Sequence, residues 1–298
     1  MVGVDVADGR TVNQPAFRFA PSPNGALHLG HALSALKNAE LAEQAGGRLL
    51  VRIEDIDTVR CPRHLAAAAL DDLAWLGLAW EQPVRYQSEH FADYTTAAAR
   101  LDAMGLLYPC FATRSEIAAA ARTGDVDPDG APLYPGIWRN AAAASVEQRK
   151  SRGEPHALRL DMAKALAAVE GRGLAPLTWK SMDDQGRIEI RRAAPERWGD
   201  VVLIRKDTPA SYHLAVVADD AIQGITHVVR GLDLLASTDL HRLLQVLLDL
   251  PEPVYRHHRL LTDQTGRKLA KSARDTSLAE LRKQSWTPAE VRRRVGLA

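Results

Sequence analysis

The feature that most constrains this chain lies in residues 16–53, where an apolar strand, a turn, a helical stretch and a second strand follow one another in close succession. Residues 16–20 are short and mainly apolar, as a buried strand is. Pro21, Ser22, Pro23, Asn24 and Gly25 are turn formers. A helical pattern runs over 29–45, and Gly46 with Gly47 ends it. Residues 48–53 read as a second strand through Leu49, Leu50, Val51 and Ile53, and a helix over 62–76 carries Pro62 in its first turn. Strand, helix, strand, helix at this spacing predicts an α/β fold with a Rossmann-type parallel sheet.

Residues 105–195 break the pattern. They hold a loop at 123–136 rich in Gly, Pro and Asp, Ala-rich helical stretches, and an alternating segment at 187–191. This region is expected to be an α+β subdomain inserted into the sheet domain. Parallel strands are expected to resume at 201–204, 212–217 and 227–229, followed by a helix over 237–250. The resulting division is a loose leader at 1–15, a catalytic body at 16–104 and 196–250, the insertion at 105–195, and a short helical C-terminal segment at 251–298.

Composition narrows the class. With 46% hydrophobic and 25% charged residues among 298, the chain has the make-up of an ordinary globular protein. It has no apolar run long enough to span a bilayer, and residues 1–15 lack a signal-peptide core, so a cytoplasmic protein is expected. Two cysteines, Cys61 and Cys110, are too few for a disulfide framework or a Cys-only zinc site. Net charge is +1, but unevenly spread: residues 251–298 carry eleven Lys and Arg against five Asp and Glu, hence +6, which leaves −5 on residues 1–250. A basic end on a mildly acidic body is compatible with contact to phosphate or RNA, and equally with a solvated helical tail.

Chemistry enters at the start of the first helix. His28, Leu29, Gly30 and His31 follow the strand and the turn, so two imidazoles stand on a helix's first turn, where unpaired N–H groups and a partial positive charge favour nucleotide phosphates. Gly30 lets a ligand approach the backbone. The imidazoles can donate to oxygens that gain charge in a transition state. Far downstream, Lys268, Leu269, Ala270, Lys271 and Ser272 form a small basic loop suited to a triphosphate.

These two stretches, in this order, resemble the two signature motifs of class I aminoacyl-tRNA synthetases. The likeness is greatest to the glutamyl branch, through residues 17–25, Arg52 to Asp57, Tyr212 to Asp220 and Thr226 to Gly231. An amino acid with an acidic side chain offers two carboxylates and one ammonium, so its site needs cations for the first and an anion for the second. Arg18 and Arg230 are the candidate clamps, Glu54 the partner for the ammonium, and Ser22 and Tyr212 the polar contacts, all expected beyond the C-terminal strand ends. The resemblance implies glutamate contacts at Arg18, Phe19, Ala20, Pro21, Ser22, Glu54, Tyr212 and Arg230. It further implies ATP contacts at His28, Gly30, His31 and Lys271, and catalysis by His28, His31, Lys268 and Lys271.

Two departures from the family matter. Many relatives carry a zinc site built from Cys-x-Cys and Tyr-x-x-x-Cys. Here the corresponding residues are Cys110 and Ala112, then Tyr134 and Trp138, which cannot close a tetrahedral site, so no zinc is expected. Only 26 residues follow Ser272, where a full glutamyl enzyme continues into an anticodon-reading domain. In this the chain resembles the glutamyl-queuosine tRNA(Asp) synthetases. That resemblance implies a ligase, expected to be a monomer, that activates L-glutamate with ATP and nucleotide-borne Mg²⁺ in the absence of tRNA. The glutamyl group then goes to queuosine in the anticodon loop of tRNA(Asp). A minimal glutamyl-tRNA synthetase charging a 3′ end, and a non-catalytic paralogue that binds RNA or glutamate, are the alternatives.

Overall fold

A computed structural model describes residues 14–261 and 276–297. In chain order the strands are β1 (Ala16–Phe19), β2 (Arg48–Ile53), β3 (Glu81–Tyr86), β4 (Leu107–Cys110), β5 (Ala157–Leu160), β6 (Thr178–Met182), β7 (Ile188–Arg192), β8 (Val202–Ile204), β9 (His227–Gly231) and β10 (Val254–His258). The helices are α1 (Leu29–Gln44), α2 (Arg63–Trp75), α3 (Phe91–Ala103), α4 (Arg114–Ala120), α5 (Ala143–Ser151), α6 (Met162–Gly171), α7 (Tyr212–Ile222), α8 (Leu235–Leu247), α9 (Leu278–Lys283) and α10 (Pro288–Val295). The chain falls into two compact units, one of residues 1–87, 224–232 and 253–298, the other of 88–223 and 233–252.

In the first unit β3, β2, β1, β9 and β10 lie side by side in that order. Every pairing among them is parallel. Strand order reverses between β1 and β9, and open α/β sheets bind ligands beyond the C-terminal strand ends at such a point. The expected helix and strand over 29–53 are both present. Helix α2 begins one residue later than expected, with Pro62 as its N-cap. Phe19, Val51 and Ile53 from the sheet bury against Ala66, Ala69 and Leu73 of α2 and against Leu278, Leu281 and Val291 of the last two helices. Each fully buried Leu or Ile stabilises by about 1.5–3 kcal/mol, so these short C-terminal helices are part of the core. Helix α10 also opens on a reciprocal cap between Thr287 and Glu290, and its Arg292 reaches Glu40 of α1 at 3.0 Å.

Asp72 sits on the buried side of α2. Burial pushes its carboxyl up to about 6, against the pull of Arg282 and with the push of Asp71. The folded chain therefore holds this proton more tightly than the unfolded chain does. The carboxylate subtracts stability as pH rises from 3.8 through about 6, and subtracts nothing below that window. Asp72→Asn is expected to raise the melting temperature at about pH 8 and to leave it unchanged at about pH 3. A variant that melts lower at the higher pH would show that the attraction of Arg282 outweighs burial.

The second unit contains the whole of 105–195. Its strands β4, β5 and β8 form an antiparallel sheet, and β6 and β7 an antiparallel hairpin. Two sequence expectations are corrected here. Residues 212–217, expected as a strand, lie in α7, and β8, expected in the parallel sheet, runs antiparallel to β5. Helix α7 is capped by Ser211, whose hydroxyl accepts from Leu214 N, and Leu214 to Asp220 are all buried. A helix buried on all sides shows no polar face, so a short stretch of it reads as a buried strand.

Several buried polar groups in this unit are paired. The Tyr94 hydroxyl donates to Asp219 at 2.9 Å, and the Trp179 indole N–H to Asp239 at 2.9 Å. Asp200 is a hub. Its carboxylate accepts from the Tyr108 hydroxyl, from Arg139 Nε at 2.6 Å and from the amide of Met162 at 3.0 Å, which fixes the start of α6.

Candidate functional site

The geometry of interest grows from the C-terminal ends of β1, β2 and β9. Strand β1 pairs with β2 so that Arg18 stands opposite Leu50 and Phe19 opposite Val51. That register, carried past the strand ends, sets Ser22 level with Glu54. The contacts agree: the Ser22 hydroxyl donates to the Glu54 carbonyl at 2.8 Å, and the Glu54 amide donates to the Pro21 carbonyl at 3.0 Å. On the other side Phe17 stands opposite His227, so Ala20 and Arg230 lie at matching heights. Arg18 and Arg230 are each 4% exposed, and Glu54 is 7% exposed. The Tyr255 ring packs beneath the Arg230 guanidinium, 5.4 Å away. Guanidiniums in so dry a place are strong partners for carboxylates.

Arg52 was not among the predicted site residues. It is fully buried, and its Nη2 donates to Glu54 Oε1 at 3.2 Å. An Arg alone on a strand gives little signal. The signal available was its spacing, two residues before Glu54 along an extended chain, which turns both side chains to one face. The Arg52 guanidinium takes one of the acceptor positions of the Glu54 carboxylate and holds it in place.

His28 and His31 are brought together by a reciprocal cap. His28 is the N-cap of α1, and its Nδ1 accepts from the Gly30 amide at 3.0 Å. His31 Nδ1 accepts from the His28 amide at 3.1 Å. With both Nδ1 atoms acting as acceptors, the hydrogen of each neutral ring belongs on Nε2. The rings lie 4.0 Å apart, centroid to centroid, and offer two N–H donors at a helix N-terminus, where anions are favoured. A Cβ on Gly30 would fall 2.9 Å from His28 Cε1, so glycine is what lets the His28 ring fold back onto the helix.

Lys268 and Lys271 lie outside the described residues. The chain beyond them returns to the histidines: Ser277 forms an isolated antiparallel bridge with His28, and the Leu278 amide donates to the Leu27 carbonyl at 2.8 Å. Tyr212 belongs to the second unit, as the first residue of α7.

Also in the second unit, Cys110, Tyr134 and Trp138 sit together. The Cys110 thiol lies 3.4 Å from the Tyr134 hydroxyl, which accepts from the Trp138 amide at 2.8 Å. Burial and the hydrogen bond to Cys110 push the Tyr134 hydroxyl up from its ordinary value. Trp138 packs on the cluster of Tyr108, Cys110, Ala112 and Tyr134, and Arg149 stacks over its ring at 4.8 Å. Among the described residues no three His, Cys, Asp or Glu side chains group so as to hold a metal ion.

Comparison with known proteins bears on the family and the fold. Residues 16–296 match the family described as tRNA synthetases class I (E and Q), catalytic domain. The glutamyl-Q tRNA(Asp) synthetase of Rhodobacter capsulatus is 43% identical over 94% of this chain and 99% of its own length. Glutamate–tRNA ligase 2 of Methylobacterium sp. (strain 4-46) is 38% identical over 93% of this chain, which spans 58% of that enzyme. Among solved structures, the glutamate-tRNA synthetase of Elizabethkingia anophelis superposes with a TM-score of 0.73 at 23% identity, covering 96% of this chain and 61% of its own. That last likeness speaks for the fold alone.

Proposed function

This chain belongs to the class I tRNA synthetases of the glutamate and glutamine type, and within that family we propose that it activates L-glutamate with ATP and transfers it to queuosine in tRNA(Asp). The observation that carries the glutamate half is the set of buried Arg18, Arg230 and Glu54 at adjacent strand ends. Two cations and one anion match two carboxylates and one ammonium. Backbone from Phe19 to Pro21 and the Ser22 side chain would line the same place. What supports the acceptor is the relative of that name, matched over 99% of its length.

In the first step an oxygen of the glutamate α-carboxylate attacks the α-phosphorus of ATP. The bond from that phosphorus to the bridging oxygen breaks, and pyrophosphate leaves. Both reactants are anions, so the chain contributes position and charge. The Nε2–H groups of His28 and His31 hold phosphate oxygens at the head of α1, beside Gly30. Lys268 and Lys271 would supply positive charge to the same phosphates. Mg²⁺, if carried in by the nucleotide, would screen the charge of the triphosphate. In the second step a hydroxyl of the acceptor attacks the mixed anhydride and AMP leaves. Contact with RNA would fall to the insertion at 105–195 and to the basic segment at 251–298. The protein acts as a cytoplasmic monomer. Among the described residues no helix is long and apolar enough to cross a membrane.

The test of the glutamate half is isotope exchange between ATP and pyrophosphate. The purified chain should catalyse it with glutamate present and tRNA absent. Exchange that needs tRNA, or that ignores glutamate, would contradict the proposal, and no exchange at all would favour a non-catalytic paralogue. The runner-up, a minimal enzyme charging a tRNA 3′ end, is favoured by the likeness to glutamate–tRNA ligase 2.

Cys110, Tyr134 and Trp138 make a thiol, a hydroxyl and an aromatic contact where the family resemblance implies a zinc site, and one thiol with one phenol does not close a tetrahedral site. The purified protein should therefore carry no stoichiometric zinc, and a chelator should leave its melting temperature unchanged. Elemental analysis finding one zinc per chain, with unfolding on its removal, would overturn this.

A further inference from the structure

The approach to α1 is held from the far end of the chain. Leu27 precedes the N-cap His28 and is 1% exposed, so its carbonyl is shielded from water. That carbonyl accepts from the Leu278 amide at 2.8 Å, and Ser277 stands opposite His28 in the antiparallel bridge. Leu278 is the first residue of α9 and is wholly buried. The leading amides of a helix have no partner inside it, and α9 directs one of its own at the stretch that leads into α1. Two more ties fasten the C-terminal helices to the same region. Val295 of α10 packs with Leu33 and Leu36 of α1. The Arg259 guanidinium, just past β10, donates to the Val295 carbonyl at 3.1 Å. Packing calls for the Leu278 side chain. The placing of its amide is a separate demand, because a buried carbonyl stripped of its donor must find another or bear its desolvation cost.

We propose that Leu278 is a positioning residue for the nucleotide site: its amide, held at the head of α9, fixes the Leu27 carbonyl and with it the entry of the chain into the His28–His31 cap. This rests on the reading of His28 and His31 as phosphate contacts. The His28 backbone carries that cap, since its amide donates to His31 Nδ1 and its carbonyl accepts from the His31 and Ala32 amides. A shift at Leu27 reaches His28 through one planar peptide and so turns both rings. The buried Arg18, Glu54 and Arg230 are set by β1, β2 and β9 instead. The consequence therefore falls on ATP and leaves glutamate untouched. Proline at 278 lacks the amide hydrogen, and its ring sets Cδ against the Leu27 carbonyl. It suits α9 itself, because proline is favoured at the first helical position. Ser277, at φ −71° and ψ 158°, already has the extended backbone that a residue before proline adopts. Alanine at 278 loses the same side-chain packing and keeps the amide.

The experiment compares Leu278→Pro with Leu278→Ala in the full chain by glutamate-dependent pyrophosphate exchange, with the melting temperature of each as the check on folding. Both variants lose the buried leucine, so the difference between them reads the amide. Leu278→Pro is expected to raise KM for ATP about ten-fold over Leu278→Ala, with KM for glutamate within about two-fold. Should Leu278→Pro fail to fold, Leu278 is replaced by its α-hydroxy acid, which keeps the side chain and puts an ester oxygen in place of the N–H. That protein should show the same selective rise in KM for ATP, about three-fold or more over the parent. An ATP KM within about two-fold of its reference, Leu278→Ala for the proline and the parent for the ester, overturns the proposal. Equal rises for ATP and glutamate overturn it too. Unchanged exchange kinetics in His31→Ala remove its premise instead, and are distinguishable because Leu278 is intact there.

Discussion

Arg230→Gln weakens glutamate binding by about 2–5 kcal/mol, a loss of about thirty-fold or more, and Arg18→Gln does the same. Both side chains are buried at the ends of neighbouring strands, so water does not replace a lost guanidinium. Glutamine can still donate one hydrogen bond but brings no charge, and a substrate carboxylate is left short of its counter-ion in a dry place. The Tyr255 ring under Arg230 would remain, so the variant should fold. Calorimetric titration with glutamate reads the effect directly. Binding within about three-fold of the parent would remove these arginines from the site. Equal use of glutamine and glutamate by the native protein would also contradict this, since at least one of the two cations is proposed to face the side-chain carboxylate, which glutamine lacks.

Lys271→Ala cuts the exchange rate by about 10²-fold or more while glutamate binding survives. The motive is charge: pyrophosphate departs as negative charge builds on oxygens that the Nε2–H groups of His28 and His31 approach from one side only. Lys271 is six residues before Ser277, which is bridged to His28. The tether is therefore at most about 20 Å of extended chain. The contrast between rate and binding carries the prediction, because loss of a group used only in the transition state lowers kcat and leaves ground-state affinity alone. Near-native exchange by the variant, or glutamate affinity falling in step with the rate, would contradict the assignment.

The parts of the molecule that were legible in the sequence are those governed by local chemistry. The strand at 16–20, the Pro and Gly turn, the helix from Leu29 and the strand from Arg48 each follow from neighbouring residues, and the structure has all four. Tyr212 to Val217 was not legible, because a helix buried on every side carries no periodic polar face to distinguish it from a strand. Nor was the parentage of β8, whose partner β5 lies some forty residues away and is selected by tertiary packing. Within the candidate site, the residue types at His28, His31, Arg18, Glu54 and Arg230 announced the chemistry. The support did not: Arg52 beside Glu54 is recognisable only once the strand has set the two side chains together. Gly30 was read as room for a ligand, and the structure adds that it makes room for the His28 ring.

The central claim is the acceptor, and the attachment point tests it most directly. Labelled glutamate should be loaded in parallel onto untreated tRNA, onto tRNA whose 3′-terminal ribose has been oxidised with periodate, and onto tRNA from cells unable to make queuosine. Transfer to a hydroxyl of queuosine predicts that label survives 3′ oxidation, because that ribose is not the attachment site, and vanishes when queuosine is missing. Label lost on 3′ oxidation and indifferent to queuosine would contradict the account and make this chain a minimal tRNA-charging enzyme.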